Sequence, residues 1–365
     1  CSRVCPTEQL CEQACVRNTQ EDKPVEIGAL QRYATDAFMA SGGAPLFQRA
    51  AATGRKVAVV GAGPAGLTCA HQLALQGHEV VLFDARPKLG GLNEYGLASY
   101  KTPGDFAQKE IDWLLSVGGI TPRNNQRLGR DFTLDSLLAE HDAVFLGLGL
   151  AGVNALGAAE PQAEGLRNAV DFIADIRQAA DKSMVPVGRR VVVIGGGMTA
   201  VDASVQARLL GADEVTMFYR RGKDALSASW VEQEWAQTHG VNLRLWAAPQ
   251  EILVQDGKVC GVRMACTRME GDRLQVTQEV FDVPADMVLK AIGQTYVATP
   301  AGAAIALRDG RIDTDDEGRT SVPRVWAGGD CRAGGQDLTV QAVEHGKVAA
   351  RAMHQALTSA VAAGV

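Results

Sequence analysis

The chain has 365 residues, with 36 Lys and Arg against 42 Asp and Glu, a net charge of −6, and 46% hydrophobic and 21% charged residues. That length exceeds what one hydrophobic core usually organises, so two or three domains are expected. The acidic balance supplies neither a basic footprint for nucleic acid nor a polybasic membrane anchor, which argues against both partner classes.

The chain begins at Cys1 rather than Met, and it begins inside a motif, so a lost upstream segment is expected. Four of the eight cysteines lie close together: Cys1, Cys5, Cys11 and Cys15. Their spacing matches neither the close C-x2-C pairs of zinc sites nor a thioredoxin-type active motif. Thiolates clustered beside Pro6 suit [4Fe–4S] ligation. Structural zinc and disulfides remain as alternatives. Residues 16–50 read as polar helix and linker, with a helical stretch around Ile27–Met39.

At Arg55 the texture changes to strand, glycine turn and helix. Gly61-Ala62-Gly63-Pro64-Ala65-Gly66 follows the apolar run Lys56–Val60 and precedes a helical run. In this G-x-G-x-x-G the first glycine allows the tight turn and the second lets pyrophosphate approach the backbone. The third lets helix pack on strand. A second apolar run, Glu79–Phe83, ends at Asp84, about 20 residues on, where a ribose hydroxyl needs an acceptor. Two further features resemble two-dinucleotide flavoproteins and point to FAD here. Lys88-Leu89-Gly90-Gly91 resembles their second glycine pair. Far downstream, Ala327-Gly328-Gly329-Asp330 resembles the motif whose Asp holds the flavin ribityl chain. Leu338-Thr339-Val340-Gln341-Ala342 then opens a helix whose N-terminal amides would face the flavin's pyrimidine edge.

The uncharged stretch Ala143–Ala159 is at the bottom of the length range for a membrane span and is interrupted by glycines. It reads better as a buried strand, Ala143–Leu146, running into a Gly-rich turn.

The strand–turn–helix pattern returns at Arg190–Ile194, followed by Gly195-Gly196-Gly197-Met198-Thr199-Ala200. Ala200 at the third position is an accepted variant where helix packs close to strand. The next strand ends in Tyr219-Arg220-Arg221 instead of an acid. A carboxylate there favours the free 2′-hydroxyl of NAD, whereas the arginine pair favours the 2′-phosphate of NADP. NADPH is therefore expected, with NADH as the alternative.

Between Ala248 and Asp286 alternating short segments read as an antiparallel meander. Buried-strand texture returns at Met287–Ile292 and Arg324–Ala327, and an amphipathic helix runs from about Leu338 to Leu357. The expected fold is α/β, with two Rossmann-like domains, the second inserted in the first, and a truncated N-terminal α-helical iron–sulfur segment. The expected boundaries are 1–50 for that segment, 51–157 with 290–365 for the FAD domain, and 158–289 for the NAD(P) domain. Cys69, Cys260, Cys266 and Cys331 lie singly and form no C-x2-C, which argues against a disulfide reductase. The scattered histidines form no ligand cluster, and no residue is assigned to catalysis.

Taken in this order, the pieces resemble the small subunit of glutamate synthase and the N-terminal half of dihydropyrimidine dehydrogenase. Within that family they resemble most the bacterial NAD(P)H-oxidising subunit of dihydropyrimidine dehydrogenase. The most specific element is Cys5-Pro6-Thr7-Glu8-Gln9-Leu10-Cys11 with Cys15, followed by Ile27-Gly28-Ala29-Leu30-Gln31. The resemblance implies a small helical domain holding two [4Fe–4S] clusters, with Cys5 and Cys11 on one and Cys15 on the other. Gln31 falls where dihydropyrimidine dehydrogenase uses a glutamine ligand, Cys1 is a non-ligand, and the remaining ligands belong upstream. One departure is Met198, where relatives often carry Asp or Asn. A polar group near the nicotinamide is lost, but the phosphate cradle stays intact, so activity is expected to persist.

The implied function is a cytoplasmic FAD-dependent NAD(P)H oxidoreductase passing electrons through [4Fe–4S] clusters to a flavin- or iron–sulfur-containing catalytic partner subunit. A dihydropyrimidine dehydrogenase catalytic subunit is the first expectation for that partner. A glutamate synthase small subunit is one alternative. A stand-alone diaphorase and a non-catalytic FAD-binding redox-sensing subunit are the others.

Overall fold

The computed structural model describes residues 1–362 apart from 22, 43–45, 299–301 and 303, with side chains to 359. The N-terminal cysteine segment forms short turns around Thr7–Gln9 and Val16–Thr19 and leads into α1 (Ile27–Ala40). The first glycine turn sits between β1 (Lys56–Val60) and α2 (Pro64–Leu75), with β2 (Glu79–Phe83), α3 (Leu92–Tyr95) and α4 (Phe106–Leu115) following. Then come β3 (Ile120–Arg123), α5 (Leu134–Glu140), β4 (Ala143–Leu146) and β5 (Gly152–Val153).

The second turn is framed by β6 (Leu166–Asn168), α6 (Ala169–Gln178), β7 (Arg190–Ile194), α7 (Met198–Leu209), β8 (Glu214–Tyr219), α8 (Trp230–Thr238) and β9 (Val241–Leu245). A meander of β10 (Ala247–Gln255), β11 (Lys258–Glu270) and β12 (Arg273–Pro284) precedes β13 (Met287–Lys290) and β14 (Gln294–Thr295). The chain closes with β15 (Leu307–Arg308), β16 (Arg311–Ile312), β17 (Val325–Ala327) and α9 (Thr339–Ala362).

Two five-stranded sheets carry the architecture, in the orders β17-β4-β1-β2-β3 and β6-β13-β7-β8-β9, and every pairing within them is parallel. Parallel sheets need both faces covered, which explains the continuous Val, Ile and Leu runs in their central strands. Every strand of the second sheet lies in the chain between β4 and β17 of the first, so one Rossmann-type unit is inserted in the other. The two crossings between them, β5 and β14, pair side by side with Gln294 opposite Val153 and Thr295 opposite Gly152. A side chain at Gly152 would strike the Thr295 hydroxyl, its Cβ only 2.3 Å from Oγ1, so glycine is what allows the crossings to touch.

Ala143–Leu146 is fully buried as the strand beside β1, and among the described residues no helix is long and apolar enough to cross a membrane. The first core joins α2 and α9 over β1 and β4, with Leu73, Phe145 and Met353 at 0% exposure. Burial of such side chains supplies roughly 1.5–3 kcal/mol each. The meander is antiparallel throughout and packs Val262 and Met264 against Val288 behind the second sheet.

The cysteine segment is fastened by polar and cationic contacts rather than by a core of its own, and α1 buries none of its residues. Arg3 pairs with Asp36 at 2.6 Å and lies over the Phe106 ring of α4, 4.0 Å from its centroid. The Gly28 N–H donates to Glu12, and Phe38 meets Trp113 edge-on at 5.8 Å.

Candidate functional site

Both glycine turns open onto one continuous cleft of about 1340 Å³. That exceeds the ~300–1,000 Å³ common for a single small ligand. In parallel sheets the strand ends that precede the helices face the ligand crevice, and both turns occupy that position here.

At the first turn Gly61 has φ +95°, and a Cβ there would sit 2.2 Å from the Gly147 carbonyl oxygen. A Cβ on Gly66 would come within hard contact of the Gly61 oxygen, so this glycine closes helix onto turn rather than lining the cleft. Gly63 differs: a Cβ there meets nothing nearer than the Gly91 Cα at 3.8 Å. Space is kept in front of it, as a pyrophosphate cradle requires. Gly91, at φ +55°, faces Gly63 so closely that its own Cβ would lie 2.7 Å from the Gly63 Cα. The two glycine pairs, distant in the sequence motif, thus form one floor. Pro64, Ala65 and Gly91 line the cleft, whereas Gly90 packs behind it against Glu94 and Ile111.

Asp84 lines the same end. One carboxylate oxygen accepts the Ala62 N–H at 2.7 Å and the other the Arg86 N–H at 2.8 Å. It therefore ties the glycine turn to β2 while its remaining lone pairs stay available to a ribose hydroxyl. Burial pushes its carboxyl above the usual range, against those two N–H bonds. Gly329 (φ +76°) donates its N–H to His345 Nδ1 at 3.2 Å. Asp330 reaches the cleft with no side-chain hydrogen-bond partner among the described residues, and burial, then the nearby Asp337, raise its pKa to about 6. A half-buried carboxylate without a donor is what a polyhydroxyl chain would satisfy. Thr339 begins α9 at the cleft, its hydroxyl bonded to Asn93 Oδ1 at 3.2 Å, while Val340 is 36% exposed and away from the lining. The donors and the open space at this end fit FAD.

At the second turn, a Cβ on Gly195 (φ +150°) would lie 2.1 Å from the Ala291 oxygen, and one on Gly196 would strike the Tyr219 ring. Gly197, Met198 and Thr199 line the cleft, and Ala200 is fully buried in the core behind them. Arg220 and Arg221 line it at the end of β8, the first exposed and the second half-buried. Neither takes part in an ion pair among the described residues, so their charges are free for an anion.

Residues without a motif complete the walls. Arg86 and Arg127 stand beside Asp84, and Ser227 faces Gly197 with its hydroxyl 3.0 Å from where a Cβ would be. Asn93 lies two residues after the second glycine pair and Arg86 two residues after Asp84, and that proximity is the signal that marks them in the sequence. The cleft is also lined by Val4, the residue before Cys5.

The eight cysteines are free thiols. Cys5 is half-buried, and burial and then the neighbouring Cys11 raise its thiol pKa, which places these two close together. Cys15 has its pKa lowered by backbone N–H bonds from Val25 and Arg17, which favours the thiolate form that binds iron. Gln31 is exposed on α1. Among the described residues no three donors converge as a metal site. The chemistry of these thiolates fits iron–sulfur ligation.

The family model described as pyridine nucleotide-disulphide oxidoreductase matches residues 55–346. The chain belongs to that family. The model described as dihydropyrimidine dehydrogenase domain II, 4Fe-4S cluster, matches residues 1–43. The glutamate synthase [NADPH] small chain of Escherichia coli is 36% identical over 96% of this chain and 78% of its own length. The NAD-dependent dihydropyrimidine dehydrogenase subunit PreT of the same species is 33% identical, over 99% of this chain and 82% of its own. In fold the chain is similar to FprA of Mycobacterium tuberculosis solved in complex with NADPH. The TM-score is 0.71 and the identity 19%, over 85% of this chain and 86% of that one.

The family resemblance and the α/β fold expected from the motifs are thus borne out, as is the enzyme class, an FAD-dependent NAD(P)H oxidoreductase. FAD, a nicotinamide nucleotide and a 4Fe–4S segment are its cofactor set.

Proposed function

We propose that the chain is the electron-input subunit of a larger enzyme: it takes hydride from NAD(P)H and delivers electrons through its N-terminal cysteine segment to a catalytic partner. The carrying observation is the position of Val4, which brings the residue next to Cys5 to the wall of the cleft that holds both glycine turns. Bound FAD supplies the change from a two-electron hydride donor to one-electron transfer.

The chain's own residues hold and align. The Gly61–Gly66 turn, Gly91, Asp84, Asp330 and Thr339 seat the flavin nucleotide. The Gly195–Gly197 turn with Thr199, Arg220 and Arg221 seats the nicotinamide nucleotide. Cys5 and Cys11 ligate one cluster and Cys15 the other, and Gln31 on α1 is a further candidate ligand. The partner we favour reduces a pyrimidine, in keeping with the PreT relative; a glutamate-forming partner is the second reading, supported by the glutamate synthase relative.

The test uses the full-length protein with Cys5→Ser and Cys11→Ser, which removes soft ligands from iron without touching either glycine turn. NADPH should still bleach the flavin, and ferricyanide should still be reduced. Electron delivery to the pyrimidine-reducing partner should collapse. Delivery at the wild-type rate would show that electrons leave by another route and that the chain is a diaphorase.

A further inference from the structure

Trp246 is the single residue between β9 and β10, and its backbone lies in the left-handed region at φ +60°. Gly or Asn suits such a bend; a bulky side chain there is an outlier, and outliers of this kind gather at ligand clamps. The bend is held firmly. The Trp246 N–H donates to the Arg221 carbonyl at 3.4 Å, and the Trp246 carbonyl accepts the Thr267 N–H at 2.8 Å. The Thr267 hydroxyl in turn donates to the Arg220 carbonyl at 2.8 Å.

Sheet register explains the neighbourhood. Tyr219 on β8 pairs with Leu245 on β9, so the next residues along, Arg220 and Trp246, emerge side by side at the ligand-facing end of the sheet. The indole lies over Gly222, where a Cβ would be 2.7 Å from Cζ2, yet Trp246 remains 39% exposed. A large aromatic plane therefore stands partly open to solvent, next to two cleft-lining arginines that have no described ion-pair partner.

We infer that Trp246 is a specificity-determining residue whose indole stacks on the adenine ring of the nicotinamide nucleotide while Arg220 and Arg221 take its 2′-phosphate. The inference rests on the placement of that nucleotide in the second unit. A purine stacks on an aromatic face irrespective of its edge groups, and the adjacent guanidinium charges reinforce such a platform. Such stacking gives a strained Trp a role at a bend that Gly would make without cost.

The test exploits that strain. Trp246→Gly removes the indole but suits the left-handed backbone, so its melting temperature should not fall. Trp246→Phe keeps an aromatic face. The probes are adenosine 2′,5′-bisphosphate, which carries only the adenine end, and reduced nicotinamide mononucleotide, which carries only the hydride-donating end. Trp246→Gly should weaken adenosine 2′,5′-bisphosphate about tenfold, Trp246→Phe only slightly, and flavin reduction by the mononucleotide should not change. Equal bisphosphate affinity in wild type and Trp246→Gly would overturn this inference alone. So would an equal loss with both probes, which would mark a purely structural bend. Failure of the wild-type holoenzyme to bind the bisphosphate would overturn the nucleotide placement and, with it, the stacking role.

Discussion

Lys101, on the loop after the second glycine pair, places its Nζ 2.8 Å from the carboxylate of Asp202 on α7, and so spans the two dinucleotide units. The same ammonium lies 2.6 Å from Glu232 on α8. Asp202 is 2% exposed and also accepts the Ala98 N–H at 3.0 Å and the Tyr100 hydroxyl at 3.2 Å. A parallel joint forms where Arg177 of α6 donates to the Glu94 carbonyl at 2.7 Å. Because Lys101 and Asp202 both line the cleft, this joint sets how the two nucleotide seats face one another.

Removing one member of this buried pair should therefore be costly. Lys101→Met leaves the Asp202 charge without its counter-ion, a loss of about 3–5 kcal/mol in such settings. We expect a fall in melting temperature of about 5 °C or more. The double variant Lys101→Met with Asp202→Asn should lose less than the two single losses added together. Strict additivity in that cycle would mean the residues do not interact.

The flavin seat is tested at Gly63. A Cβ there clashes with no neighbour, so Gly63→Val should fold with a melting temperature close to that of wild-type apoprotein while its side chain fills the pyrophosphate space. The protein should purify colourless, whereas wild type is yellow and releases FAD on denaturation. Flavin retained at wild-type stoichiometry in Gly63→Val would refute the assignment.

The proposed role of Arg220 and Arg221, both on the cleft wall, is the choice of nucleotide. Each charge-assisted bond to the 2′-phosphate is worth about 1.5–3 kcal/mol, or roughly tenfold or more in affinity. Arg220→Ala with Arg221→Ala should raise the KM for NADPH strongly and that for NADH little. The relatives differ on this point, one being named for NADPH and one for NAD, so the pair is the place to measure it. An unchanged ratio of the two KM values would reduce the arginines to surface charge.

That the two glycine turns, Asp84 and Asp330 meet at the ligand-facing strand ends was legible in the sequence, because each follows an apolar strand run at a fixed spacing. The inserted topology was legible because the same pattern occurs twice and the chain then returns to buried strand texture at Val325–Ala327. The Lys101–Asp202 joint was not, since pairing between residues so far apart in the chain leaves no local periodicity. Nor was Trp246, because its backbone runs against the preference of its side chain. Asp84 was half legible: its position suited ribose, but its two bonds to the Ala62 and Arg86 amides depend on how the turn folds back over β2. Met198 is half-buried at the cleft, consistent with an apolar residue taking a place where a phosphate cradle asks only for backbone.

Acid sensitivity should be traceable to His78. Its ring is 0% exposed, with Nδ1 2.8 Å from the Thr53 hydroxyl and Nε2 2.9 Å from His354 Nδ1 on α9. Burial, and then the neighbouring His354, lower its pKa from 6.5 to about 4. The unfolded chain therefore binds a proton at a pH where the folded protein does not. Stability from this group is complete above pH 6.5 and is lost as pH falls from 6.5 towards about 4. At about 1.4 kcal/mol per pKa unit, the loss across that window is roughly 2–3 kcal/mol. His78→Gln keeps a polar side chain but cannot take up the proton, so its stability should change less over the same range. Chemical denaturation of wild type and variant at pH 7.5, 5.5 and 4.5 checks this directly. Parallel stability curves for the two proteins would place the acid-sensitive group elsewhere.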